Sequence, residues 1–313
     1  MKKAEVNDTD RQAVRMLVRA REDFQAMRKR MDNRIGRKAN GKSQNIEERA
    51  LRSEDVINFS SIADAARAQE KEIEKMLRKT LERFPVYTEY LKDIKGVGEI
   101  SAGWIIGEFD IKIATTVSKL WQFCGLNSGM VIGKKRVENK DGTFSYIATD
   151  KMIFGDKLTP GFVAPFNKRL RTALVGVMAD GFIKAGLRWE IVSEKEFDET
   201  PEQFRDRKNK VVDGKKVEDV PCRMAIDSKY VKFYIDYKHR LENSENETTK
   251  SRGTKSESQI KWKETTKGHR DRAAKRYMIK MFLKDLYVAW RKIESLPVRG
   301  SYQEEYLGHR HVA

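Results

Sequence analysis

A glycine pair set between apolar residues is the pattern in this sequence with the most direct chemical meaning. Gly96 and Gly98 lie in the stretch Ile94–Ala102, which ends in small and apolar residues. Glycine adopts positive φ angles and puts no side chain between the backbone and a ligand. The N–H groups at the start of a following helix face outward, which favours an anion such as a phosphate. The residues predicted to hold one backbone phosphate are Lys95, Gly96, Val97, Gly98 and Ser101.

The order helix, glycine turn, second helix is the helix-hairpin-helix pattern of proteins that bind DNA without reading its sequence. Ala102 and Gly103 are small, so the second helix can pack close to the first. The pattern is not a dinucleotide fingerprint, because no third glycine follows at the required spacing and no strand precedes it. The alternative interpretation is a structural turn between two core helices.

Two clusters of basic residues extend this prediction beyond the glycine turn. The first is predicted to lie in a loop and the second to open a helix after Pro165. Each cluster taken alone is also typical of a solvated surface, but near a phosphate-binding turn both would lengthen the contact with a nucleic-acid backbone. The residues concerned are Lys134, Lys135, Arg136, Lys168, Arg169 and Arg171.

The charge of the whole chain points to a polyanionic partner. The 313 residues include 64 lysines and arginines against 47 aspartates and glutamates, a formal net charge of +17. Basic side chains gain affinity for nucleic acid by displacing its condensed counterions. Double-stranded DNA is therefore the first candidate partner and structured RNA the second, while the alternative is a basic protein without a polyanionic ligand.

Other classes of protein are disfavoured by composition. The two cysteines, Cys124 and Cys222, form no CxxC pair, so neither a disulfide framework nor a cysteine-rich zinc site is expected. With four histidines we predict no metal site, and we expect no cofactor. No apolar stretch approaches the roughly 18 residues of a membrane span, and the start of the chain lacks the pattern of a signal peptide. We therefore expect a cytoplasmic, nucleoid-associated protein.

Hydrophobic periodicity predicts a mainly α fold. Apolar residues recur at helical spacing from Val14 to Ile35 and from Val56 to Phe84, with Gly36 and Pro85 as the respective breakers. Residues 1–85 are thus predicted to form a long helical hairpin of coiled-coil type. Its apolar stripe is narrow and needs a partner, so we expect a homodimer through this segment, and the alternative is packing on its own chain.

Residues 86–313 are predicted to form a second, helical domain that carries the glycine turn. Residues 129–163 read as an insertion with a small β-hairpin, whose turn is Asp141-Gly142. Residues 190–225 and 242–268 are polar and predicted to be flexible, and a strong helix is expected over about 269–294.

The second domain resembles the C-terminal half of insertion-sequence transposases of the group designated one-ten, one-sixteen and nine-oh-two. The resemblance covers roughly residues 85–310 and follows the order of the family's segments. It implies a helix-hairpin-helix domain, ancestry among transposases, DNA binding in transposition and recombination, and a dimerising coiled coil in residues 1–85. Besides the glycine turn, the matching segments are Leu120–Leu126, Gly133–Arg136, Gly155–Leu158, Phe166–Leu174, Phe233–Lys238, His269–Arg276, Leu296–Arg299 and Leu307–His309.

The chain departs from that family in its catalytic residues. Members carry an N-terminal ribonuclease-H-like domain with four metal-binding carboxylates, and residues 1–85 contain no equivalent. Members also use a serine nucleophile after the Gly-Leu segment, where this chain has Val131-Ile132-Gly133-Lys134. Ser128 is the nearest candidate nucleophile, and it needs a base or a polarising site to act. The resemblance thus implies a transposase-like DNA-binding protein, and the alternative is a non-catalytic nucleic-acid-binding derivative that regulates transposition or binds RNA.

Overall fold

A computed structural model describes the chain over six ranges and confirms a mainly helical fold with small β-hairpins. Two compact units can be distinguished, one formed by Met1–Asp93 with Val97–Asp110 and the other by Ile94–Gly96 with Ile111–Ala313. The described residues are 8–36, 53–191, 211–212, 215–216, 222–249 and 259–300.

The first unit is built on two long helices, α1 (Asp8–Arg34) and α2 (Ser53–Leu81). Ion pairs fix them antiparallel: Arg28 lies 2.5 Å from Glu70 and Arg21 lies 3.0 Å from Glu74. Glu70 is buried, and its hydrogen bond to Arg28 is the first cause that raises the pKa of this guanidinium. The chain then continues through α3 (Pro85–Glu89), a 3-10 turn (Leu91–Asp93) and α4 (Glu99–Glu108).

Helix α4 packs on both long helices through its small residues. A Cβ at Gly103 would lie 2.7 Å from Val18 Cγ2, and one at Gly107 would lie 3.3 Å from Arg15 Cα. The Arg15 guanidinium donates to the Gly107 carbonyl. The first unit thus includes Val97–Asp110 besides Met1–Asp93, and the sequence pattern predicts a domain boundary at residues 85/86. The packing of α4 supplies part of the cover that the narrow apolar stripe requires.

The apolar stripe of α1 and α2 is only partly buried in the described part of the first unit. Val14, Val18 and Leu77 are at most 3% exposed. Ile57 is 67% exposed, Ile62 is 44% exposed and Met76 is 49% exposed, although their spacing predicted a buried face. Periodicity identifies these residues as helical, but it does not show which turns of a helix are covered.

The second unit begins with α5 (Val117–Phe123) and a two-stranded antiparallel ribbon of β1 (Met130–Glu138) and β2 (Phe144–Phe154). The ribbon lies within the predicted insertion at 129–163, and Gly142 in its turn has φ +77°. Hydrogen bonds from Thr143 hold the turn and lower the pKa of Asp141.

The remaining helices enclose the core of the second unit. Helix α6 (Lys168–Arg171) leads through a π-helical segment (Thr172–Met178) into α7 (Ala179–Gly186). Helices α8 (Lys229–Glu242) and α9 (Lys267–Ile293) follow, and they pack on each other. Phe182, Tyr230 and Phe282 form an aromatic cluster with ring centroids 5.2–5.5 Å apart.

Short strands occupy parts of the two segments that were predicted to be flexible. All three pairs are antiparallel: β3 (Leu187–Ile191) with β6 (Cys222–Ile226), β4 (Val211–Val212) with β5 (Lys215–Lys216), and β7 (Glu247–Thr249) with β8 (Gln259–Lys261). Glu245 accepts hydrogen bonds from Lys261 and Lys263 beside the last pair, a cross-segment contact that composition does not reveal.

None of the helices in the described ranges has the length and apolar character needed to cross a membrane.

Candidate nucleic-acid interface

The ribbon places the first basic cluster on consecutive positions of one strand. Lys134 pairs with Ala148, Lys135 with Ile147 and Arg136 with Tyr146. Since side chains alternate between the faces of a strand, Lys134 and Arg136 share one face and Lys135 lies on the other. A register shift between Ile132 and Lys134 separates this distal half of the ribbon from its base.

The distal half of the ribbon is exposed on both faces. All β1 residues from Lys134 to Glu138 are exposed, and in β2 Tyr146 is 60% and Ile147 52% exposed. Within the described residues, Lys134, Lys135 and Arg136 form no ion pair with a carboxylate. Arg136 instead lies over the ring of Phe144, 3.5 Å from its centroid. The ribbon therefore presents cations and apolar side chains together.

The middle of the ribbon, where its base meets the distal half, is fixed by the segment that leads into α6. Val163 N donates to the Lys134 carbonyl over 2.8 Å, and the Phe162 ring takes the place of a side chain at Gly133. Lys135 and Lys151 both lie within 6 Å of the centroid of that ring, at 5.8 Å and 5.7 Å. This ring thus gathers further positive charge at the ribbon.

The residues of the second basic cluster, Lys168, Arg169 and Arg171, differ in their exposure. Asn167 caps α6 by accepting a hydrogen bond from Leu170 N, and Lys168 beside it is exposed. Arg169 is half-buried. Arg171 turns inward, where it donates to the Asp156 carbonyl and lies 4.8 Å from the Phe166 centroid. Arg171 is thus part of a different site from the exposed Lys168.

The glycine turn has a structural explanation at Gly96. This residue has φ +94°, and an added Cβ would lie 2.8 Å from Phe182 Cα. Helix α7 therefore occupies the side of Gly96 that the sequence analysis assigned to a ligand. Lys95 Nζ lies 3.0 Å from Asp227, which also pairs with Arg188, and these contacts lower the pKa of Asp227.

The other half of the turn is more open. Gly98 precedes α4 with φ −92°, and an added Cβ would meet nothing within 4 Å. Val97 follows Gly96 outside any helix, and Ser101 lies in the first turn of α4. Glu99, the first helical residue, puts a carboxylate at this helix N-terminus and pairs with Arg78 at 2.8 Å. That negative charge opposes a phosphate at the same helix end.

Ser128 lies on the exposed link between α5 and β1. Asn127 forms a turn there by accepting a hydrogen bond from Gly129 N over 3.2 Å. Among the described residues no side chain contacts the Ser128 hydroxyl as a base, so its assignment as a nucleophile gains no geometric support. The described ranges also hold no group of three or more histidine, cysteine or acidic residues placed to bind a metal ion.

The sequence predicts Arg171 as a nucleic-acid contact, but not the cluster of charged side chains to which it belongs, just after the end of β2. Its members are three cations from two helices and one carboxylate: Asp156, Arg171, Arg276 and Lys280, here called the Asp156 cluster. Arg276 and Lys280 come from α9, one helical turn apart. The i, i+4 spacing puts both residues on one face of the helix, but basic residues occur along much of α9, so this spacing does not single them out.

Comparison with known proteins adds no identification: no family model, no curated protein and no solved structure matches this chain.

Proposed function

We propose that this protein binds nucleic acid along its phosphate backbone through the exposed ribbon of β1 and β2. The observation that supports this most is the row Lys134, Lys135 and Arg136, which is exposed and without acidic partners among the described residues. A two-stranded β-ribbon fits the width of the major groove of duplex DNA. Double-stranded DNA is therefore the proposed partner.

The first unit contrasts with the ribbon in how its cations are used. Arg11 lies 2.9 Å from Asp110, Arg21 lies 3.0 Å from Glu74 and Arg28 lies 2.5 Å from Glu70. Cations that already have carboxylate partners gain less from a phosphate than unpaired ones. These three cations are thus less available to a phosphate than the ribbon cations, which are unpaired among the described residues.

A role in DNA transposition and recombination is supported by the resemblance of residues 85–310 to insertion-sequence transposases. The non-catalytic version of that role is favoured here, because Ser128 is exposed and no described side chain lies ready to activate it. The test is a denaturing gel after incubation with labelled duplex DNA. A covalent adduct that disappears in Ser128→Ala would reverse this preference.

Structured RNA is the second candidate partner. Phe144 is 46% exposed and Tyr146 is 60% exposed on the ribbon. Exposed aromatic rings stack on unpaired bases, which duplex DNA does not offer. Competition of a structured RNA against labelled duplex DNA separates the two, because preferential displacement by RNA would favour RNA as the ligand.

The binding experiment compares two triple variants over a salt series. Lys134→Ala, Lys135→Ala and Arg136→Ala together remove the ribbon cations. The control removes three exposed lysines of α2 with the same total charge, Lys71→Ala, Lys75→Ala and Lys79→Ala. If each ribbon cation neutralises one phosphate, the slope of log affinity against log salt falls by about 2.7.

The same change in slope predicts how the loss of DNA affinity depends on salt concentration. The ribbon variant should lose about 20-fold more affinity at about 0.1 M than at about 0.3 M salt, while the control keeps the wild-type slope. Equal slopes for the two variants would show that overall charge, and not the ribbon, determines binding.

We also propose that the first unit forms a homodimer through exposed apolar residues of α2. Ile62 and Met76 are separated by nearly whole turns, so they share one face of the helix, and they are 44% and 49% exposed. The variant Ile62→Lys with Met76→Lys is expected to be monomeric by light scattering, and a dimer that survives would place the interface elsewhere. A cytoplasmic, nucleoid-associated location is part of this proposal.

A further inference from the structure

The turn after β2 is held so that Asp156 faces basic side chains. Gln122 Nε2 donates to the carbonyls of Gly155 and Pro165, each over 3.2 Å. Gly155 is buried there, and a Cβ on it would lie 2.7 Å from Gln122 Oε1. Arg171 donates to the Asp156 carbonyl from the other side. Backbone and side chains of three segments thus fix this turn.

Helix α9 brings two further cations to this turn. Trp121 Nε1 donates to the Lys280 carbonyl over 3.1 Å, and the Lys280 ammonium lies 4.5 Å from the centroid of the same indole. Arg276 precedes Lys280 by four residues and interacts electrostatically with Asp156 and Arg171. Both side chains are half-buried, so each keeps some exposure to solvent.

The charges of the Asp156 cluster do not balance. Three cations face one carboxylate, and in the described residues neither Arg276 nor Lys280 has an ion-pair or side-chain hydrogen-bond partner. Burial lowers the pKa of Arg171, Arg276 and Lys280, and the charge of Arg276 lowers that of Arg171 further. Asp156 Oδ1 is buried without a hydrogen-bond partner in the described residues, so its carboxylate acts on the α9 cations at a distance.

Partly buried cations without partners are costly, and an anion that contacts them removes that cost. A carboxylate ligand has fewer acceptor oxygens to offer than a phosphate, which accepts from a guanidinium fork and an ammonium together. We propose that Arg171, Arg276 and Lys280 bind one phosphate group, supplied by the nucleic-acid backbone. This assignment of the phosphate source rests on the proposed function.

The site lies beside the base of the ribbon in sequence, since Asp156 follows β2 directly. A phosphate bound there would anchor the backbone while the ribbon extends along it. Asp156 would oppose a second phosphate by charge repulsion, which limits the site to one group. The ribbon and the Asp156 cluster thus make separate contributions to one binding event.

The experiment uses the full chain with Arg276→Gln and Lys280→Gln combined. The control is Lys292→Gln, an exposed lysine about three turns further along α9. Two readouts are taken: affinity for a short duplex DNA over a salt series, and the melting temperature with added inorganic phosphate against sodium chloride at equal ionic strength. Lys280→Gln alone serves as the milder variant should the double variant fold poorly.

The expected result has three parts. The double variant loses about eightfold in DNA affinity at about 0.1 M salt, and its salt slope falls by about 0.9, the contribution of one phosphate. Inorganic phosphate raises the melting temperature of the wild type and of Lys292→Gln. It has no such effect on the double variant.

The other outcomes separate this proposal from the function on which it rests. If the wild type binds DNA and the double variant binds equally well, the phosphate site is refuted and the ribbon proposal stands. If the wild type does not bind DNA but phosphate still stabilises it through these residues, the site is supported with free phosphate as its ligand, and the proposed function fails. Absence of both effects overturns both proposals.

Discussion

Replacing Gly96 and Gly98 one at a time separates the structural from the ligand-binding role of the glycine turn. Gly96 has φ +94°, and an added Cβ would lie 2.8 Å from Phe182 Cα and 3.0 Å from Phe182 N. Both of these neighbours are backbone atoms of α7, so they cannot move aside as a flexible side chain would. Gly98 has φ −92° and open space where its Cβ would be.

The magnitudes follow from these two geometries. In Gly96→Ala, the left-handed backbone costs about 1–2 kcal/mol and the overpacking about 1–3 kcal/mol. The lower entropy of the unfolded chain offsets about 0.4–1 kcal/mol of this loss. The free energy of unfolding should therefore fall by about 1–4.5 kcal/mol. Gly98→Ala replaces a fair N-cap residue by a poor one, and the lower entropy of the unfolded chain again offsets part of the loss. The free energy of unfolding of this variant should therefore lie within about 1 kcal/mol of the wild-type value.

The assay is urea unfolding followed by circular dichroism, with DNA affinity measured on the same samples. Gly96→Ala should unfold at lower urea than Gly98→Ala, and equal midpoints would refute the packing argument. Gly98→Val tests whether a ligand binds at the turn, because it adds a larger side chain where the fold leaves open space. An affinity about eightfold lower at about 0.1 M salt would support a phosphate at the turn, and an unchanged affinity would reduce the turn to a structural role.

Three further predictions concern other parts of the second unit. Hydrogen bonds from Lys261 and Lys263 lower the pKa of Glu245 to about 2. The stabilisation that these bonds give to β7 and β8 is therefore complete above the unfolded pKa of 4.5 and is lost as pH falls through about 2. The backbone amides of these strands should lose protection from exchange over that window in an NMR titration, and Glu245→Gln should abolish this pH dependence. Burial raises the pKa of the Cys124 thiol well above its ordinary value. In a Cys222→Ser variant, a thiol reagent should therefore modify Cys124 only after denaturant is added. Rapid labelling of the native protein would contradict the burial of Cys124. Arg291→Leu should lower the free energy of unfolding by about 3 kcal/mol, because the substitution leaves the buried carbonyls of Ile111 and Ala114 without their donor. The control Lys292→Ala should change the free energy of unfolding by less than about 0.5 kcal/mol in the same urea titration.

Local patterns in the sequence predicted the elements whose causes are local. The helical spacing of Val14 and Val18 and the breaker Gly36, which has φ +71°, correspond to α1 and its end. Asp141-Gly142 predicted the turn of the ribbon for the same reason, since the backbone of such a turn requires a residue that accepts positive φ. Pro85 was interpreted as the end of a helix, whereas it also begins α3, where its missing N–H is harmless.

Features that depend on distant residues could not be predicted in this way. The strand Leu187–Ile191 pairs with Cys222–Ile226, and no local pattern identifies that partner. Gly96 has the composition of a ligand-binding turn, and only the position of Phe182 shows that another helix fills the space. Arg171 is predicted as a surface contact, but its electrostatic interaction with Arg276 depends on how the π-helical segment after α6 packs on α9.

The buried carboxylate Glu70 between α1 and α2 has a consequence for the register in which these two helices pack. Ala63 and Ala66, which are at most 1% exposed, are small and alike, so steric fit alone distinguishes poorly between neighbouring registers of the two helices. Sliding by one turn, about 5.4 Å, would separate the buried Glu70 carboxylate from its 2.5 Å partner Arg28, while Arg28 would keep Asp32 on its own helix. These residues then specify one alignment among several of similar packing energy, and add little to stability itself. Replacing Arg28, Asp32 and Glu70 together by leucine should preserve the melting temperature while doubling the NMR signals of the helix pair, and a single set of signals would show that packing alone fixes the register.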